Sequence, residues 1–170
     1  MGYRIEDINQ CDEARFIELL GGIFEHSPWI AELVYDQRPF ASRDRLHEVM
    51  SAAVRQAPRF QRMALLCSHP ELAGHEARDG GLTRASRQEQ SGAGLDQCSA
   101  EELEKIETLN RAYRDKFEFP FIIAVAGLDR QQIIAAMENR LGNDPEAEFE
   151  SALDEVEKIA WIRIDALIDE

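Results

Sequence analysis

The sequence predicts an all-α fold, a single-domain helical bundle of about eight helices with one buried extended segment. Two observations lead there. Helix-start signals recur along the chain, each followed by apolar residues at three- and four-residue spacing. Only one stretch, Phe119-Pro120-Phe121-Ile122-Ile123-Ala124-Val125, is rich in apolar and β-branched residues in the manner of a strand, and one strand cannot build a sheet. That stretch is expected as extended backbone among helices.

Each element has a local reason. Ser27-Pro28 has the form of an N-cap followed by proline at the first helical position, opening a helix from Trp29 to Tyr35. Ser42 caps the next, where Leu46, Val49, Met50, Ala53 and Val54 share a face. Arg59 to Cys67 is a shorter helix that stops before His69-Pro70, because a residue preceding proline is pushed out of the α region. Gly74 to Gly81 is polar and is expected as a loop, with Thr83 capping a helix through about Ser91. Ser99 and Glu102 make a capping box for the stripe Leu103, Ile106, Asn110, Tyr113 and Phe117. Asp129 with Gln132 starts another helix, ending at Leu141-Gly142 with glycine as its C-cap. Asp144-Pro145 opens a long final helix with Phe149, Ala152, Val156, Ile159, Ala160 and Leu167 as its buried stripe. The sequence contains no internal repeat and no low-complexity segment.

Composition narrows the classes of function. The chain has 170 residues, suited to one domain over residues 1–170, with 44% hydrophobic and 31% charged residues. A formal net charge of −14 argues against nucleic acid, whose binding needs a positive surface. No apolar run approaches the roughly 20 residues of a membrane span, and the N-terminal residues lack a secretory pattern. The cytoplasm is expected, and three widely spaced cysteines, Cys11, Cys67 and Cys98, are expected as reduced thiols.

Three sets of polar residues stand where structure alone does not ask for them. Arg163 falls on the apolar stripe of the last helix, between Ala160 and Leu167. An unpaired buried guanidinium costs several kcal/mol, so Arg163 either snorkels outward, pairs with an acidic neighbour, or offers a fork to a ligand carboxylate. Ser86, Glu89 and Gln90 stand at i, i+3 and i+4, placing a hydroxyl, a carboxylate and an amide on one helix face. That face suits a polar heterocycle, or is solvated surface. His69, locked ahead of Pro70, is a candidate acid/base or a structural corner histidine. Cys67, His69, His75 and Glu76 form a loose metal set whose spacing matches no zinc pattern, so no metal is expected.

The local strings are more specific than the single residues. His69-Pro70-Glu71-Leu72-Ala73-Gly74, Ser86 to Gln90 leading into Ala93-Gly94-Leu95, Asn110 to Tyr113, and Lys116 to Ile122 occur in an order that resembles the OHCU decarboxylases. These are the 2-oxo-4-hydroxy-4-carboxy-5-ureidoimidazoline decarboxylases of urate breakdown. Glu25-His26-Ser27-Pro28-Trp29 and the terminal helix with Ile159, Ala160 and Arg163 look similar too, so the resemblance runs from about residue 9 to 168. The chain departs from the family pattern where Glu118 replaces the usual glycine, where His75 replaces the frequent lysine or arginine, and where Glu71 replaces the commoner aspartate.

The resemblance implies an all-α homodimer acting on a small ureide with no cofactor, and production of (S)-allantoin. It implies His69 as catalytic acid/base with Glu89 and Arg163 beside it. It implies Pro70, Ser86, Arg87, Gln88, Glu89 and Gln90, and the backbone of Phe121, Ile122, Ile123, Ala124 and Val125, as substrate contacts. Two other classes are compatible with the residues by themselves: a metal-assisted hydrolase of a related cyclic ureide, and a non-catalytic helical interaction module.

Overall fold

A computed structural model of the chain describes residues 2–169. Among them lie ten α-helices, two short 3₁₀ turns (Tyr35–Gln37 and Leu95–Gln97) and no strand beyond a single parallel bridge, Tyr3 to Ile168. The backbone groups into two compact units: Met1–Ser68 with Glu157–Glu170, and His69–Val156.

The first unit holds α1 (Ile5–Gln10), α2 (Glu13–Leu20), α3 (Trp29–Val34), α4 (Arg43–Gln56), α5 (Arg59–Ser68) and the C-terminal part of α10 (Pro145–Leu167). Asp12 caps α2 by accepting the Arg15 N–H at 2.8 Å, and Ser42 caps α4 by accepting the Arg45 N–H at 3.1 Å. Phe16, Leu20, Ile30, Val34, Leu46, Met50, Leu65, Ala160 and Ile164 fill its core. Fully burying an aliphatic or aromatic side chain contributes about 1.5–3 kcal/mol, so this apolar set dominates the unit's stability. The last strip of chain is tied down by Tyr3, whose N–H reaches Leu167 O at 2.9 Å and whose C=O accepts from Asp169 N–H at 2.7 Å.

The second unit holds α6 (His75–Asp79), α7 (Arg84–Gly92), α8 (Ala100–Phe117), α9 (Arg130–Arg140) and the first half of α10. Ser99 and Glu102 form the capping box of α8, and Asp129 and Gln132 that of α9. Tyr113, Phe117, Phe119, Phe121 and Phe149 pack as an aromatic cluster, with Tyr113 edge-on to Phe119 at 5.7 Å and to Phe121 at 5.3 Å between ring centroids. Such pairs add about 0.5–1.5 kcal/mol each beyond their buried area.

Five local expectations need correction. The 74–81 stretch contains a helix of five residues, α6, which is too short to carry a periodic apolar signal and stops at Gly80 in the left-handed region. Two N-terminal helices, α1 and α2, were also absent from the sequence reading, which accounts for ten helices against about eight. Ser27 does not cap α3: its hydroxyl donates to Glu25 O at 2.9 Å instead. Helix α9 ends on Leu141 in a right-handed conformation, so Gly142 is not its left-handed cap. On α10 Ile164 is buried, as is Ile168 just beyond its end, where Leu167 is only partly so.

Candidate functional site

The buried stripe of α8 is the backbone of the site in the second unit. Asn110, Tyr113 and Phe117 follow at i, i+3 and i+7, and all three are buried. Asn110 Nδ2 donates to Leu72 O at 3.0 Å, fixing the loop that leaves His69. One turn further along, Tyr113 packs against Phe119 and Phe121 and so fixes the extended segment. A single helix face therefore positions both the His69 loop and the 119–125 stretch.

The His69 loop is short and constrained. His69 is 7% exposed and sits directly after α5, with Pro70 setting its exit direction. Ala73 is in the left-handed region at φ 49°, a conformation that disfavours a side chain, and its N–H donates to Gln90 Oε1 at 2.9 Å. Gln90 Nε2 donates in turn to Glu71 O at 3.4 Å. Gly74 lies so close to Glu71 that a Cβ there would come within 2.7 Å of the Glu71 Cβ. The loop is thus held against α7 by one amide and kept tight within itself by the close approach of Gly74 to Glu71.

Helix α7 divides its residues by face. Thr83 caps it, accepting the Ser86 N–H at 3.2 Å. Ser86 and Gln90 are buried and Glu89 is half-buried, whereas Arg87 and Gln88 are exposed. The predicted contiguous block Ser86 to Gln90 therefore splits: Ser86, Glu89 and Gln90 share the inner face, and Arg87 instead reaches Gly80 O at 3.4 Å. Both ends of the Gln90 amide already serve the loop's backbone, leaving one N–H and one oxygen lone pair to read a ligand.

Residues Phe121 to Val125 form no helix and no strand, as expected, and Phe121, Ile122 and Val125 are buried. Their backbone is only partly available. Ile122 O accepts from Arg140 Nη1 at 2.6 Å, Ala124 N–H donates to Glu155 Oε2 at 3.0 Å, and Val125 O accepts from Leu128 N–H at 3.0 Å. The Ala124 amide is thus already engaged within the protein. Among the described residues, no protein group accepts from the N–H groups of Ile122, Ile123 or Val125.

Arg163 belongs to the first unit, where it is buried on α10 as its place on the stripe predicts. Its Nη2 lies 2.8 Å from Glu25 Oε2, and its Nη1 donates to Gly22 O at 3.2 Å and Ile23 O at 3.5 Å. The side chains are 8% and 1% exposed. Glu25 stands beside His26, whose backbone is left-handed at φ 48°, and Ser68 Oγ donates to Glu25 O at 2.7 Å. Sequence reasoning noticed the Glu25–Trp29 string but gave Glu25 no role. The signal available was a buried cation on an apolar stripe, which demands a counter-charge somewhere in the chain.

His75 pairs with Asp79 at 2.9 Å on the exposed surface of α6. Among the described residues no three His, Cys, Asp or Glu side chains converge as a metal site. No described helix is long and apolar enough to cross a membrane.

Comparison with known proteins shows the family. A model of the OHCU decarboxylase family matches residues 9–165. The chain is 39% identical to the 2-oxo-4-hydroxy-4-carboxy-5-ureidoimidazoline decarboxylase of Halalkalicoccus jeotgali, covering 96% of this chain and 90% of that one. It is 36% identical to the Mus musculus protein of the same name, covering 95% and 90%. It also matches the uric acid degradation bifunctional protein PucL of Bacillus subtilis at 39% identity, covering 99% of this chain and 33% of that protein. Among solved structures, (S)-allantoin synthase superposes with a TM-score of 0.80 at 32% identity, over 98% of this chain and 54% of that one. An OHCU decarboxylase in the presence of (S)-allantoin shares the fold, with a TM-score of 0.68 at 24% identity over 84% and 92%. The chain belongs to the OHCU decarboxylase family.

Proposed function

We propose that this protein decarboxylates 2-oxo-4-hydroxy-4-carboxy-5-ureidoimidazoline to (S)-allantoin, as a cofactor-independent carboxy-lyase of urate breakdown. The family match over residues 9–165 carries this reading. In the same reading the enzyme is a cytoplasmic homodimer.

The substrate bears a carboxylate and a hydroxyl on one ring carbon, next to a C=N bond. When the carbon–carboxylate bond breaks, CO2 departs and the electron pair moves toward the neighbouring nitrogen, giving an enol. Reprotonation at the ureido-bearing carbon restores a carbonyl where the hydroxyl stood. The net change is loss of CO2 and uptake of one proton. Because the ring supplies its own electron sink, neither a metal nor an organic cofactor is required.

His69, Glu89 and Arg163 are the residues to which this chemistry is assigned. Arg163, held by Glu25, binds substrate oxygens and offsets developing charge. His69 moves the proton near the hydroxyl-bearing carbon, and Glu89 orients His69 or the ureido group. Pro70, Ser86 and the remaining N–H of Gln90 contact the ring and ureido atoms. The open amides of Ile122, Ile123 and Val125 receive ligand oxygens, since buried N–H groups need an acceptor. Proton delivery to one face sets the handedness.

The reading is tested by generating the unstable substrate in situ from urate with the two upstream enzymes and following the optical activity of the allantoin formed. Catalysis gives a strongly optically active product. Racemic product at the uncatalysed rate would sink the assignment, and a loss of activity on chelation would favour the metal-assisted hydrolase instead.

A further inference from the structure

In an extended chain the C=O of one residue and the N–H of the second residue after it lie on the same edge, while the residue between them faces the other way. In the non-helical 121–125 stretch, Ile122 O and Ala124 N–H stand at that spacing. A neighbouring strand would bond both, but here two side chains do so: Arg140 Nη1 donates to Ile122 O at 2.6 Å and Glu155 Oε2 accepts from Ala124 N–H at 3.0 Å. The Ile123 N–H and the Val125 N–H, which that spacing would turn the other way, donate to no protein group among the described residues.

The two clamping residues come from different helices and are themselves held. Arg140 closes α9, stacks its guanidinium over the Phe121 ring at 4.4 Å, and donates through Nε to Glu148 Oε1 at 2.7 Å. Glu148 has no exposed surface, and it also accepts from Tyr113 Oη at 2.6 Å and Asn143 Nδ2 at 2.9 Å. Burial and the Glu148 carboxylate push the Tyr113 phenol far above its ordinary pKa, so it remains a donor. A carboxylate with this many donors locks Arg140 in place, because any rearrangement would leave buried charge unpaired.

We propose that Glu155 and the Arg140–Glu148 pair are positioning residues for turnover. They occupy one edge of the 121–125 backbone and thereby present the Ile123 and Val125 amides on the other edge to the ureide's oxygens. This rests on the functional reading above, and nothing in that reading assigns a role to Arg140, Glu148 or Glu155.

Glu155 gives the cleaner test, since it is half-buried and its loss leaves the Glu148 network intact. Glu155→Ala removes the acceptor for Ala124 N–H, while Glu155→Gln keeps a carbonyl at the same reach. With in situ substrate, Glu155→Ala raises KM about tenfold, the effect of one misaligned hydrogen bond, and changes kcat less than KM. Glu155→Gln recovers most of that loss, and both variants melt close to wild type. Amide exchange gives a readout independent of turnover: (S)-allantoin slows exchange at Ile123 in wild type and does so far less in Glu155→Ala. Wild-type KM in Glu155→Ala, or a fall in kcat and melting temperature with KM unchanged, overturns the positioning role while leaving the functional reading standing. Failure of the wild-type protein itself to decarboxylate overturns the functional reading, and is seen without any variant.

Discussion

Arg163 and Glu25 form a buried ion pair, 2.8 Å between Nη2 and Oε2, in which the carboxylate side chain is 1% exposed. Two chain carbonyls, Gly22 O and Ile23 O, take the other arm of the guanidinium. The arginine that the sequence placed on an apolar stripe is therefore oriented by the protein before any ligand arrives. Glu25→Gln keeps the shape and removes the negative charge beside the buried guanidinium. Breaking such a pair costs about 3–5 kcal/mol, to be read as a lowered denaturant midpoint. Arg163→Lys should cut kcat/KM nearly as far as Arg163→Ala, because a single ammonium cannot replace a planar fork. Near wild-type kinetics in the lysine variant would reduce Arg163 to a generic positive charge.

His69→Asn should lower turnover by about 10²–10⁴, the range for loss of a positioned acid/base, with the fold retained. The loop that carries His69 is held by Gln90 and Asn110 rather than by the imidazole alone, which is why the fold survives the change. Steady-state kinetics with in situ substrate, alongside a thermal melt, decide it. Retention of more than half the wild-type rate would remove His69 from the chemistry.

Glu89→Gln keeps size and hydrogen-bonding reach while removing charge. Ser86 and Gln90 already place neutral polar groups on the same face of α7, so hydrogen bonding alone does not call for a carboxylate there. The rate should fall by roughly 10² or more. Binding of (S)-allantoin should persist as a ligand-induced rise in melting temperature. Loss of binding together with rate would move Glu89 into recognition and leave His69 to carry the proton transfer.

Glu118 occupies the left-handed region at φ 66° as the C-cap of α8. A side chain there is strained, and the family resemblance has glycine at this position. Glu118→Gly should stabilise by about 1 kcal/mol, corresponding to a rise of about 2–4 °C in Tm for a chain of this size. A calorimetric scan showing a lowered Tm would mean that contacts of the glutamate side chain outweigh the backbone strain.

Glu102 joins α8 to α9, accepting from Ser99 N–H at 3.0 Å and from Arg130 Nε at 2.9 Å. The Ser99 amide foremost, and then Arg130, hold its carboxyl below the usual range. A lowered folded pKa gives stability that is present at neutral pH and lost as pH falls through the folded value. The Tm gap between wild type and Glu102→Gln should therefore narrow as pH drops from about 7 toward 3, and a gap independent of pH would exclude this linkage.

The sequence by itself determined the helices whose ends carry side-chain signals. Ser42, Thr83, Ser99 with Glu102, and Asp129 with Gln132 all cap as read, because a cap is decided within three residues of chain. Periodicity likewise placed Asn110, Tyr113 and Arg163 on buried stripes, and composition marked Phe119 to Val125 as the strongest non-helical stretch. Only the tertiary structure decided where buried polar groups find partners. Glu25 for Arg163, Arg140 for Ile122 O, Glu155 for Ala124 N–H and Asn110 for Leu72 O are contacts between residues far apart in the chain. No local pattern encodes them. A buried charge or backbone group announces that it needs a partner, but which partner reaches it depends on how the helices pack. The same reason explains why the hold of Gln90 on the His69 loop, through Ala73 N–H and Glu71 O, could not be read from its helix face.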